Sequence, residues 1–225
     1  MMQKTALCAA LGLVLVVPGC RNDGATSGPD GAIGMDMDTE DAPDASTGAS
    51  EDTLDLLQGT WTSEACESDG TNAFRRTFSF SGDRWEIAFV TYGDAECTPE
   101  MALIQFDFGG VVEIDDPSDA VDGALDAFFG FSSRTITPVS DAAAAFLNDG
   151  SACGSADWQT GTARDVQTDG CPDFGVLPAD ACAGEFDLVA LQEQTLRLGT
   201  RPADNNLCTD ELRPTSLGDA LVRMQ

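Results

Sequence analysis

The chain has 225 residues, 39 acidic against 11 basic side chains, no histidine and a formal net charge of −28. That length allows one domain or two small ones. The charge excludes nucleic acid as a partner, because binding it requires a positive field. It also opposes docking of the folded surface on anionic lipid headgroups.

The first 19 residues read as a leader. Lys4 supplies a positive start, and the apolar run TALCAALGLVLVV is too short for a comfortable transmembrane helix. The run ends in VPGC, with Gly19 before Cys20. This resembles a bacterial lipobox, which implies cleavage before Cys20 and a lipid on its thiol. Val17 and Pro18 depart from the commoner pattern. The alternative is an ordinary secretory signal cut later, with Cys20 left free. Either reading places the protein outside the cytoplasm. A lipid on Cys20 anchors the chain to a membrane without spanning it. The resemblance to Gram-negative lipoproteins implies that an Asp after the cysteine favours inner-membrane retention; Arg21 stands there instead, so the expectation is the outer membrane, facing periplasm or cell surface.

Residues 20–53 are rich in Gly, Ser, Thr, Asp and Pro and lack aromatics. Such a segment buries too little apolar surface to offset chain entropy and is expected to be an extended acidic tether. Its MDMDTEDAPD stretch lacks the Gly and closing Glu of a calcium loop, so it reads as a solvated spacer.

With the leader removed, six cysteines remain besides Cys20: Cys66, Cys97, Cys153, Cys171, Cys182 and Cys208. An even number in an exported domain argues for three disulfides among the fifteen possible pairings. Cys66 and Cys97 flank a compact strand-rich unit and are expected to pair. Proximity alone suggests Cys153–Cys171 and Cys182–Cys208. Zinc is the alternative, but there is no CxxC pair and no histidine to hold it.

From Leu54 onward the pattern is mostly of period two, which predicts strands. GTWTSEAC is the first. AFRRTFSF and RWEIAFVTY form a hairpin through the SGD turn at 81–83, with Arg76, Phe78 and Phe80 on one parity and Trp85, Ile87 and Phe89 on another. ALIQFDFGGVVEI places Ile104, Phe106 and Phe108 on one face, with a possible bulge at Gly109–Gly110. ALDAFFGF is ambiguous between strand and helix, and SSRTITP after it is strand-like. PVSDAAAAFLNDG predicts a helix capped by Ser140. A loop-rich stretch runs from 151 to 183. GEFDLVALQ and TLRLGT form a second hairpin, and RPTSLGDALVRM predicts a short closing helix with Pro214 near its start. About eight antiparallel strands joined by short turns predict one mainly β, up-and-down barrel with one or two short helices over 54–225. A two-sheet sandwich is the alternative.

Gly-x-Trp at the first strand of such a meander resembles the lipocalins. That resemblance implies that Gly59 permits a tight turn at the closed end and that Trp61 plugs it, with Arg201 or Arg213 stacking on the ring. The neighbourhood is more specific. GTWTSEACE, FRRTFSF and YGDAECTPE resemble the domain of the adenomatosis-polyposis-coli down-regulated family. Its Gly-x-Trp-x-Ser-x-x-Cys-Glu start corresponds to Trp61, Ser63, Cys66 and Glu67. Its Arg followed by aromatics corresponds to Arg76, Phe78 and Phe80. Its Tyr-x-Asp-x-x-Cys-x-Pro run corresponds to Tyr92, Asp94, Cys97 and Pro99. The similarity continues in Trp158, Cys171, EFDLV at 185–189, LRLGTRP at 196–202 and RPTSL at 213–217. It implies a lipocalin-like barrel with an apolar pocket that binds lipid. The animal proteins carry two such domains before a transmembrane helix and inhibit Wnt signalling. This chain departs from that plan, so the signalling role does not transfer.

Chemistry narrows the function further. Without histidine, Ser-His-Asp and Cys-His sites are absent. Oxidised cysteines are not nucleophiles. Once Lys4 is lost, no lysine remains for a Schiff base or a phosphate loop. Paired carboxylates could still cleave glycosides, but no pair stands out among so many acids. The sequence therefore predicts a monomeric binding protein, not an enzyme, without cofactor or metal. Its expected ligand is a lipid or other hydrophobic small molecule, walled by Phe78, Phe80, Trp85, Ile87, Phe89, Ile104, Phe106 and Phe108. The same residues would equally fill a solid core, in which case the protein is a surface interaction module. Arg76 is a candidate partner for a lipid phosphate or carboxylate; an exposed or salt-bridged arginine is the alternative.

Overall fold

A computed structural model describes residues 52–225. The leader over 1–19, Cys20 and nearly all of the tether over 20–53 lie outside the described residues. Strand formation follows the period-two pattern, because alternation lets each strand bury one face. The strands are β1 (Gly59–Ser63), β2 (Glu67–Ser68), β3 (Ala73–Ser81), β4 (Arg84–Tyr92), β5 (Ala102–Pro117), β6 (Leu125–Pro138), β7 (Arg164–Asp165), β8 (Gly184–Gln192), β9 (Thr195–Gly199) and β10 (Leu217–Arg223). All ladders are antiparallel. Eight strands close a ring in the order β1, β3, β4, β5, β6, β8, β9, β10, because β1 pairs with both β3 and β10. The two-residue strands β2 and β7 hang on β3 and β6. The fold is a mainly β, closed, eight-stranded up-and-down barrel with two short helices. Closure leaves no long free edge to template aggregation.

Three local expectations change. Residues 52–57 are helical where a strand pattern was expected from Leu54. Leu57 is buried and Leu54 packs on the same core, and helical spacing lets both reach it. ALDAFFGF and SSRTITP are one long strand, β6, rather than two elements. Finally, the expected closing helix is strand β10. Its residues find ladder partners on both sides, Trp61 to Ser63 of β1 and Thr195 to Gly199 of β9, and that pairing overrides helix propensity. The only helical turn nearby, Asp210–Leu212, is a 3-10 turn that ends just before Arg213.

Other signals hold. The hairpin β3–β4 turns through Gly82 at positive φ. The ladder β5–β6 shifts register at Gly109/Gly110, where a Cβ on Gly110 would sit 1.8 Å from the Gly130 carbonyl. Only glycine allows that approach. The helix Asp141–Asp149 is capped as expected, with Ser140 Oγ accepting from the Ala143 amide. The three disulfides are Cys66–Cys97, Cys153–Cys171 and Cys182–Cys208.

The barrel has two unlike ends. One end carries the helical residues 52–57, the β3–β4 turn, the β5–β6 connection and the β8–β9 turn. We call it the closed end. The other, the mouth, carries the β1–β3 and β4–β5 connections, the long insert over 139–183 and the β9–β10 connection. All three disulfides lie in mouth connections.

Candidate functional site

The closed end is a packed plug. Trp61, Phe78, Phe80, Trp85, Val112, Phe129, Leu196 and Leu221 belong to one buried cluster together with Leu57. Phe78 stacks with Phe80 and Trp85, and Phe129 meets Trp85 edge-on at 5.1 Å. Trp61 is fully buried, and its indole N–H donates to the Leu57 carbonyl at 2.7 Å. A buried indole needs such an acceptor. Gly59, at φ +107°, turns the chain from the helical residues into β1. The stacking cation on Trp61 is Arg223, 4.4 Å from the ring centroid, rather than Arg201 or Arg213. The register explains this: Arg223 lies directly opposite Trp61 in the β1–β10 ladder. Its guanidinium also donates to the carbonyls of Leu56 and Gln58, so it ties the helical residues to the plug.

Toward the mouth the inner wall changes character. Ile87 and Phe89 follow Trp85 on the same face of β4, and Phe106 and Phe108 lie opposite on β5. These four, with Phe74 and Phe131, keep partial solvent exposure, whereas Phe78, Phe80 and Trp85 are dry. Phe74 stacks on Phe89 at 4.8 Å, and Phe106 meets Phe89, Phe108 and Phe174 edge-on. Phe174 comes from the insert, which packs Trp158, Val166 and the helix residue Leu147 against Ile104 and Ile136. The residues expected to wall a pocket therefore separate into two groups. Phe78, Phe80 and Trp85 are core of the plug, and Ile104 anchors the insert. Ile87, Phe89, Phe106 and Phe108 form a partly exposed apolar wall beneath it.

The polar residues are distributed unevenly. Arg76 lies on the Phe78 parity but is held by Glu67, with Nη2 2.6 Å from Oε2 and Nε 2.9 Å from Oε1. Ser63 Oγ also donates to Glu67. The salt-bridged alternative for Arg76 is the arrangement present. Arg201 binds Glu185 in bidentate fashion, with Nη1 2.8 Å from Oε2. Arg213 lies over Phe186 and donates to the carbonyls of Ala127 and Asp187 and to Asp210. Two buried ionisable groups were not legible in the sequence. Arg134 is 2% exposed. Asp187 is 4% exposed, and burial pushes its carboxyl up to about 6, against the pull of Arg201 and of the Leu188 and Gly199 amides.

Two concavities open on the outside. One, of about 230 Å³, is lined by Asp157, Trp158, Thr162 and Arg164 of the insert. The other, of about 290 Å³, crosses β3 to β6 between Thr77, Ser79, Glu86, Asp107, Ser133 and Thr135, and reaches Ile87 and Phe108. Cys153, Cys171 and Asp173 converge, but the two sulfurs form a disulfide and offer no thiolate to a metal.

The periodicity pointed to Phe89, Phe106 and Phe108 directly. It missed Phe131, because ALDAFFGF gave no unambiguous parity, and Phe174, because a loop has none. No protein-family model matches this chain, and no curated protein matches it in sequence.

Proposed function

We propose that the protein is an exported binding protein for a hydrophobic, lipid-like small molecule, held in the mouth half of the barrel and delivered to the outer membrane by a lipid on Cys20. One observation carries the reading. Inward-facing Ile87, Phe89, Phe106, Phe108 and Phe131 retain solvent exposure, although equivalent positions deeper in the barrel are buried. A solid core leaves no such surface, because interiors pack to crystal density. A ligand that covers those faces gains about 25 cal/mol per Å² of apolar area removed from water. The family resemblance, with its lipid-binding barrels, supports the same reading.

The test is native mass spectrometry of the purified full chain, followed by extraction of any bound molecule. The expected result is an amphiphile at one per chain, lost in Phe89→Asp and Phe106→Asp while the circular dichroism spectrum is unchanged. An apo mass that persists with added fatty acids and lysophospholipids rejects the reading.

A second reading has its own observation. Phe146, on the helix of the insert, is 70% exposed, and Val139 and Met101 are exposed too. Exposed large apolar residues mark interaction surfaces. A protein partner on the insert is the reading that then stands, and Phe146→Ser abolishes that contact without touching the barrel wall.

A further inference from the structure

The aromatic wall carries one buried cation, Arg134, that among the described residues holds no carboxylate within ion-pair distance. Arg134 lies opposite Phe108 in the β5–β6 ladder, hence on the same face of the sheet. Its guanidinium carbon is 4.8 Å from the centroid of Phe131. Nε donates to Gln167 Oε1, Nη1 to the Leu177 carbonyl and Nη2 to the Gln167 carbonyl, each at 2.8 Å. All three acceptors are neutral and belong to the insert. A guanidinium has five N–H donors, so these bonds use only part of its capacity.

Four other arginines contrast with it: Arg76, Arg164, Arg201 and Arg213 each hold a carboxylate within ion-pair distance. Arg75 and Arg197 hold the Ser63 and Gly218 carbonyls, but both keep contact with solvent, whereas Arg134 is buried. Among the described residues no such pair includes Arg134. Glu185 and Asp165 act on it only at longer range, and Glu185 is already bound by Arg201. Burying a charge without a partner is costly, and the energetically cheap completion is an anion.

We infer that Arg134 is the counter-ion for the headgroup of an anionic, single-chain amphiphile whose tail lies on Ile87, Phe89, Phe106 and Phe108. The inference rests on the mouth half being the ligand seat. An incoming carboxylate takes bonds from the Gln167 and Leu177 carbonyls, and charge-assisted bonds are the stronger ones. The chain's net charge of −28 repels anions. A barrel without this cation would therefore favour the neutral amphiphile.

The test compares dodecanoate with dodecanol, below micelle-forming concentrations, on the full chain by displacement of a fluorescent probe. Dodecanoate is expected to bind about tenfold or more tightly. In Arg134→Gln the preference disappears while dodecanol binding stays as it was. Arg134→Lys keeps part of the preference, because it keeps the charge and loses the planar fork. Melting curves of each variant separate lost binding from lost folding. Equal affinity for acid and alcohol overturns the role of Arg134 and leaves the seat intact. So does undiminished acid preference in Arg134→Gln. Binding of neither overturns the seat itself.

Discussion

The two ends of the barrel are stabilised by different physics. The closed end is held by burial: Trp61, Leu57, Phe80 and Leu221 pack together, and Arg223 lies across the indole. Among the described residues it carries no disulfide. The mouth leaves several aromatics partly exposed, and to the buried cluster of the insert around Ile104, Ile136, Leu147 and Trp158 it adds three disulfides, which tie the β1–β3 connection to the β4–β5 connection, fold the insert on itself, and join the insert to the β9–β10 connection. If the mouth seats a ligand, as proposed, its aromatic wall has to stay open, and covalent constraint orders the surrounding backbone without covering that wall.

Reduction tests this contrast with the largest expected effect. The bridges span 31, 18 and 26 residues. Loop entropy of that order is worth about 3 kcal/mol per bridge. Treatment with a reductant is expected to lower the melting temperature steeply and to expose the mouth connections to protease first, with the plug cleaved last. Simultaneous cleavage at both ends would break the comparison. Trp61→Ala addresses the other end. It empties a fully buried aromatic site and is expected to cost about 3–5 kcal/mol in chemical denaturation. A cost under about 1 kcal/mol would mean that the plug does not carry the closed end.

Asp187 gives the next effect, and its sign is fixed by burial. The unfolded chain releases this proton near 3.8, whereas the folded chain keeps it to about 6. A group bound more tightly by the folded state contributes stability at low pH and loses it as pH rises through about 6. The loss is about 3 kcal/mol, complete by neutral pH. Asp187→Asn removes the titration. Its stability relative to the native chain is expected to improve between pH 4 and 7, and a flat difference contradicts the shift. Arg223→Gln has the smallest effect, about 1–2 kcal/mol, from the cation–π contact and the bonds to the Leu56 and Gln58 carbonyls. It is expected to fray residues 52–57 and leave the mouth unaltered.

The barrel itself was legible because alternation is a local property. Phe78, Phe80, Trp85, Ile87, Phe89, Phe106 and Phe108 occupy the face their spacing assigns. The eight strands survived two compensating changes: β6 absorbs two expected elements, and β10 replaces an expected helix. GDALVR has no strong alternation, so only its two neighbours in the ring reveal it as a strand. The same limit applies to Arg223. Nothing in the sequence distinguishes it from Arg201 or Arg213 until the β1–β10 register sets it against Trp61. Whether an inward aromatic is plug or wall depends on its depth along the barrel, which parity does not encode. Arg134 and Asp187 were illegible for a further reason: an acid or base on a strand reads as solvent-facing until the insert and neighbouring strands are seen to cover it.

The most direct measurement of the central claim is amide hydrogen exchange on the full chain with and without dodecanoate. The account predicts added protection over 86–90, 104–109 and 131–136 and over the insert, with no change over 57–63 and 194–198. Protection confined to the closed end, or exchange that saturating dodecanoate leaves unaltered throughout, would contradict it.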